Sequence, residues 1–193
     1  MSDPSDARSA VLANLLGRRT IHSFRRDPVD DRTIEDALLA AVHAPNHRMT
    51  APWRFVRVGR ETRAQLAEIA VRIASKPGLP HDPAKADDTR RKLLDPHDLI
   101  VVSIVKNDDA AIAREDYASA ACAIGNLSLA LWACGIGAKW GTGRITRDAA
   151  THALLGIDPA REEIVGFVQV GVPASVPATP PRPALASLVR RLP

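Results

Sequence analysis

Leu99-Ile100-Val101-Val102-Ser103-Ile104-Val105 is an almost unbroken run of β-branched and aliphatic residues. It is of strand length, and apolar residues at both odd and even positions mean that both faces of the strand are covered. A second run, Ile164-Val165-Gly166-Phe167-Val168-Gln169-Val170-Gly171, has the same character and predicts another buried strand over 163–171. Between them lies 110–135, where fifteen of twenty-six residues are Ala, Gly, Ser or Cys. That segment reads as one long helix. Its small side chains let another backbone approach closely, which places it in the middle of the protein or between subunits. A few strands joined by long helical crossovers predict an α+β fold, one sheet covered by helices.

Working outward, apolar residues recur at helical spacing over 5–16, and Gly17 stops that helix. Asp30-Asp31 opens a helix over 33–43, with acidic residues at its positive end, and Pro45 closes it. Trp53, Phe55 and Val58 against Arg54 and Arg57 read as a strand over 53–58, and 61–75 as a surface helix. The stretch 76–98, rich in Pro, Asp and Lys, reads as a mobile connection with a short helix at 87–94. A helix over 149–155 ends at Gly156. Five prolines between Val172 and Pro183 predict an extended tail lying over the surface, with a short last helix over 185–192. One domain over 1–193 is expected, with its core over 12–173 and the tail over 174–193.

The chain has 193 residues, 46% apolar and 25% charged, an ordinary globular balance that excludes disorder for most of it. The net charge is +4, and residues 17–63 alone carry ten Lys/Arg against six Asp/Glu. Such a basic patch suits a phosphate-bearing ligand. Aromatic residues make up 4%. The stacking platforms of a nucleic-acid binder are therefore scarce, and no nucleic-acid partner is expected. The uncharged segment 117–138 is poor in large apolar groups and reads as a buried helix, so no membrane partner is expected. Cys122 and Cys134 fall on one helix, about 18 Å apart at about 1.5 Å per residue, too far for a disulfide. A reducing cytoplasm is the natural setting, and the polar, acidic first eight residues have no apolar signal core.

Arg18-Arg19-Thr20 follows a helix end. Two guanidinium forks and a hydroxyl are good ligands for an oxyanion, and equally a solvated charge pair. His43 and His47 are four apart, but Pro45 between them breaks the helix and no third ligand is near. No metal is expected, and His47 reads as a polar contact in a ligand loop. Trp140-Gly141-Thr142-Gly143 offers glycine backbone that a flat ligand can approach, or a plain turn. Glu115-Asp116 reads as a solvated helix start, and Cys122 and Cys134 as packing. The chain carries no G-x-S-x-G, no dinucleotide fingerprint and no obvious acid–base machinery, so the catalytic residues are unknown. That suits an enzyme whose cofactor carries the chemistry.

Several segments taken in order resemble the nitroreductase superfamily. These are Gly17-Arg18-Arg19-Thr20-Ile21-His22-Ser23-Phe24, Pro28-Val29, Ala44-Pro45-Asn46-His47, Ala51-Pro52-Trp53-Arg54-Phe55, and Ile164-Val165-Gly166-Phe167 through Gly171-Val172-Pro173. His47 and Trp140-Gly141-Thr142-Gly143 look like its compact YdjA-like branch. The resemblance implies a central, mostly antiparallel sheet flanked by helices, in an intertwined homodimer with FMN at the subunit interface. By position, Arg18, Arg19 and Thr20 would hold the flavin phosphate and the polar edge of the ring. His43 and His47 match positions that meet the flavin from the partner subunit. Trp140, Gly141 and Thr142 match the strand lining the cofactor, and Arg182 resembles a tail arginine that meets the phosphate. Ala130, Leu131, Trp132, Ala133, Cys134 and Gly135 match a stretch associated with NAD(P). The implied activity is a ping-pong oxidoreductase passing electrons from NAD(P)H through FMN to a small organic acceptor such as a nitroaromatic. Reduction of a quinone or activated alkene, flavin binding without turnover, and a small basic nucleic-acid module are the alternatives. The sequence departs from the family pattern at Ala51, where a Gln is usual, and at Asn46-His47-Arg48 in the Ala-Pro turn.

Overall fold

The run that opens the sequence reading becomes β2, Asp98–Val105, buried along its length save Val105. The computed structural model describes residues 4–75 and 82–192. β2 pairs antiparallel with β1, Trp53–Arg57, on one side and with β4, Glu162–Gly171, on the other. β3, Gly137–Gly141, adds antiparallel to β4, giving the order β1-β2-β4-β3.

Strand alternation divides the core between the two faces of the sheet. Ile100, Val102 and Ile104 face α2, Asp31–Val42, and α5, Ala110–Ala133, where Ile34, Ala37, Ala41, Ala123, Ile124 and Leu127 meet them. Leu99 and Val101 face the other way, onto Leu66 and Ala67 of α3, Arg60–Ala74, and Leu93 of α4, Pro83–Leu94. Caps set the helix starts: the Asp30, Asp82, Asp109 and Asp148 side chains accept backbone N–H groups at the starts of α2, α4, α5 and α6, Ala149–Leu155. Gly156 ends α6 at φ 65°, left-handed backbone that suits glycine. Arg63, buried on α3, donates to the carbonyls of Leu93, Leu94, Pro96 and His97, and so satisfies the open C-terminus of α4.

Four expectations are corrected. The 76–98 stretch holds a full helix, because Asp82 caps it and Pro83 occupies the first helical position, where a missing N–H costs nothing. Its segment 76–81 lies outside the described residues. The last helix shrinks to a 3₁₀ turn, Leu185–Ser187, whose neighbours Leu188, Val189 and Leu192 are exposed. Without an apolar face to bury, such a short segment cannot offset helix nucleation. Asp116 is buried rather than solvated, since it faces the loop after α2 and accepts from Thr50. Cys122 and Cys134 are exposed rather than packed, for α5 buries one face and leaves Ala118, Cys122 and Gly125 open.

Candidate functional site

α1, Pro4–Gly17, delivers the arginine loop to the sheet edge. Asn14 Nδ2 donates to the Leu129 carbonyl at 3.0 Å, and a Cβ on Gly17 would lie 3.5 Å from Trp132 Nε1. The chain then runs beside β3: Thr20 bridges Ala138 in parallel, and Ile21 N donates to the Ala138 carbonyl. Ile21 is fully buried on Gly137, where an added Cβ would stand 2.5 Å from Ile21 Cγ1. This long-range pairing sets Thr20 and Ile21 against the start of β3, on the sheet edge whose strand continues to Trp140 and Gly141. The Ala130–Gly135 stretch ends α5 at the same place.

The two arginines behave differently. Arg19 is committed: it donates to the Leu16 and Arg18 carbonyls and to Thr179 Oγ1 of the tail. Arg18 is half-buried, and its guanidinium has no hydrogen bond or ion pair among the described residues. The tail is pinned alongside, with Arg25 N on the Val172 carbonyl and Ala174 N on the Ser23 carbonyl. Arg182 is exposed three residues beyond Thr179.

Trp140 is laid flat by a gap in its neighbour. A Cβ on Gly166 would stand 2.2 Å from Trp140 Nε1, and that nitrogen donates to the Val165 carbonyl at 3.3 Å. The register shift between Val102 and Ser103 falls opposite this point. Lys139, between Ala138 and Trp140, has its ammonium pKa pushed down by burial, with the Lys92 charge adding to the effect. Within Ala130–Gly135, Leu131 is fully buried in the core, Ala130 and Trp132 are half-buried, and Ala133, Cys134 and Gly135 are exposed.

His43 and His47 lie elsewhere. His43 caps the C-terminus of α2, and both imidazoles are exposed. Their loop is held on the N-terminal half of α5 by polar side chains. Asn46 Nδ2 donates to Ser119 Oγ and Thr50 Oγ1, its Oδ1 accepts from Ala51 N at 2.8 Å, and Thr50 donates to Asp116. Arg48 pairs with Glu115 at 3.1 Å. This net keeps Met49 and Ala51 at φ 52° and 45°, backbone that costs non-glycine residues energy. From Ser119 to Trp132 is about 20 Å along α5 at about 1.5 Å per residue. Asn126 Nδ2, further along α5, donates to the Ala40 carbonyl just before His43, and neither histidine contacts Arg18 among the described residues. No group of three His, Cys, Asp or Glu suited to a metal occurs among the described residues. No helix among them is long and apolar enough to cross a membrane.

Sequence reasoning missed the Asn46–Thr50–Asp116 net, because nothing local marks its partners. It also missed a cleft of about 470 Å³ that opens beside Thr142, between the start of β4, α6 and the turn Arg144–Arg147.

An antiparallel sheet flanked by helices on both faces, with an arginine loop paired to its β3 edge, defines an α+β protein. The chain belongs to the Nitroreductase family, which it matches over residues 15–172. It is 34% identical over 179 residues to a Bacillus subtilis protein named "Putative NAD(P)H nitroreductase YfhC", covering 87% of each chain. It is 26% identical over 165 residues to the Escherichia coli YdjA protein of the same description, covering 84% of this chain and 88% of that one. In fold it is similar to the FMN-dependent nitroreductase NfnB from Mycobacterium smegmatis, solved with NADPH. The TM-score is 0.77 at 20% identity, over 97% of this chain and 100% of that one.

Proposed function

We propose that the protein is an FMN-dependent oxidoreductase that takes electrons from NAD(P)H and passes them, by a ping-pong cycle, to a small organic acceptor such as a nitroaromatic. The observation that carries this reading is the Arg18 guanidinium, without a partner of its own among the described residues, in a loop that pairs with β3 at Ala138, in a chain of the Nitroreductase family. The residues fit the flavin. Arg18, with Thr20, suits the phosphate, while Gly141 leaves backbone open to a planar ring. Arg182 can join them from the tail, and Arg19 contributes by holding that tail in place. Bound FMN supplies the hydride chemistry that the side chains lack.

The active form is a homodimer. Val11, Leu12, Leu15 and Leu16 of α1 are 58%, 44%, 48% and 73% exposed, next to the open face of α5, an apolar surface that one chain leaves uncovered. A second copy also supplies His43 and His47, neither of which contacts the arginine loop of its own chain among the described residues. A reducing cytoplasm agrees with two cysteines that are free.

The test is to purify the protein, denature it and identify the flavin released, then titrate apo protein with FMN. Arg18→Ala should weaken FMN about ten- to a hundred-fold, the loss of a charge-assisted hydrogen bond, with the fold intact. Arg60→Ala, basic but outside the site, should stay within about twofold. Protein that neither carries nor takes up FMN refutes the reading.

A further inference from the structure

β3 turns one lysine onto a covered face of the sheet. Ala138 belongs to the core beneath α2 and α5, so the next residue, Lys139, points to the face that α3 and α4 cover. Its Cα partner across the ladder is Gln169, whose neighbours Val168 and Val170 also face α2 and α5. Lys139 and Gln169 therefore stand side by side on the α4 face, with β-carbons about 4.5–5.5 Å apart. Beyond Gln169 in the same row comes Leu99, packed with Leu66 and Leu93.

Neither polar side chain of this pair has a partner. Lys139 is half-buried, and its ammonium makes no hydrogen bond or ion pair among the described residues. Gln169 is 8% exposed, and its side-chain amide makes no hydrogen bond among them either. The carboxylate that acts on Lys139, Asp88 of α4, is already taken: it pairs with Lys92, one turn on, at 2.5 Å. Burial first, and the Lys92 charge second, push Lys139 toward the neutral amine, against the weaker pull of Asp88. A lysine that is desolvated and set beside a second cation is an activated nucleophile.

The same neighbours select the product. A cation at this nitrogen meets burial and Lys92, and an anion such as a carbamate meets burial and Asp88. A neutral amide avoids both, and its carbonyl oxygen has the Gln169 amide N–H group beside it as a donor. We propose that Lys139 is a site of covalent acylation by a small acyl phosphate. The neutral Nζ attacks the carbonyl carbon, and the C–N bond forms as the bond from that carbon to the phosphate oxygen breaks. Inorganic phosphate leaves with the electron pair, the nitrogen gives up a proton to solvent, and nothing is oxidised or reduced. The acyl group is small because α4 lies over the lysine. This inference stands apart from the flavin reading.

The test treats the purified protein, as isolated, with acetyl phosphate and follows the acetylation of each lysine by peptide mass spectrometry. Lys85, exposed on the same helix α4, is the internal reference. At neutral pH Lys139 should react about tenfold faster than Lys85, the gain in free amine for each unit by which its pKa is lowered. That lead should shrink as pH approaches about 10, where an ordinary lysine is also deprotonated. Lys92→Gln should slow Lys139 about threefold, because the repulsion is lost and Asp88 is released to pair with it. Asp88→Asn, which removes the attraction, should speed it. A Lys139 that reacts no faster than Lys85, a lead that stays constant with pH, or a rate that neither substitution moves overturns the proposal.

Discussion

The two ends of α5 each hold one half of the candidate site, by different means. At the C-terminal end, the 18–20 loop is fixed by backbone pairing and close approach, with Ile21 against Gly137 and Thr20 against Ala138. At the N-terminal end, the loop with His43 and His47 is fixed by side-chain hydrogen bonds, Asn46 to Ser119 and Thr50 to Asp116. Backbone pairing and packing hold the arginine loop at one geometry. A polar net holds its loop only as long as every partner is present. The histidine half should therefore respond to single hydrogen-bond deletions and to pH, and the arginine half to volume.

The largest expected effect comes from adding volume at the packed end. A methyl group at Gly137 meets Ile21 Cγ1 at 2.5 Å, Ile21 Cβ at 2.9 Å and Pro173 Cγ at 3.1 Å. Two of these three atoms lie in the first half of a buried side chain, with little freedom to move aside. Gly137→Ala should cost about 1–3 kcal/mol, and at about 2–4 °C per kcal/mol the melting temperature falls accordingly. Hydrogen exchange at the Ile21 amide should speed up while that of Ala51 does not. Unchanged stability would mean that the edge pairing is loose.

Next in size is the polar end. Asp116 is 3% exposed and accepts from Thr50. Asp116→Ala removes the buried acceptor and with it one hydrogen bond from the exposed Thr50, at about 0.5–1.5 kcal/mol. The loss should appear as faster exchange at Ala51 N, which Asn46 Oδ1 holds, with Ile21 unaffected. Asp116→Asn keeps an acceptor oxygen and should recover most of the protection. If both variants leave Ala51 protected, the net does not hold the loop.

This contrast also explains what the sequence discloses. β2 and β4 are legible because apolar runs fix a buried strand locally, and the starts of α2 and α5 because Asp30 and Asp109 cap within three residues. The long helix is legible from its small residues, but which of its faces stays open is not, since that depends on α2. Arg18, Arg19 and Thr20 are recognisable as a motif, yet their place against β3 rests on a bridge from Thr20 to Ala138, 118 positions away. Nothing near Asp116 announces that it is buried, because its partner Thr50 is 66 residues upstream. Arg147, His152 and Glu163 look like ordinary surface residues in the sequence, and only the fold gathers them around Thr142.

The smallest effect sits at the start of α2, the helix that carries the histidine loop. Arg57 donates to Asp31 and Asp98, 2.7 Å to each. The hydrogen bond from Arg57, helped by its charge, holds the Asp31 carboxyl below the usual carboxylate range. A carboxyl whose pKa is lowered by folding contributes stability above its unfolded pKa, and that contribution fades as pH falls through the lowered value. Asp31→Asn should therefore melt slightly below the parent at neutral pH, with the gap closing in acid once Asp31 of the parent is protonated too. The effect is small because Asp31 is exposed and Arg57 keeps Asp98. The gap produced by Gly137→Ala, a matter of packing alone, should not change over the same pH range. Thermal melts of parent and both variants from neutral to acid pH compare the two directly. A constant gap for Asp31→Asn would show that its charge does not help hold α2, and would leave Asn46, Thr50 and Asp116 as the polar support of the histidine loop.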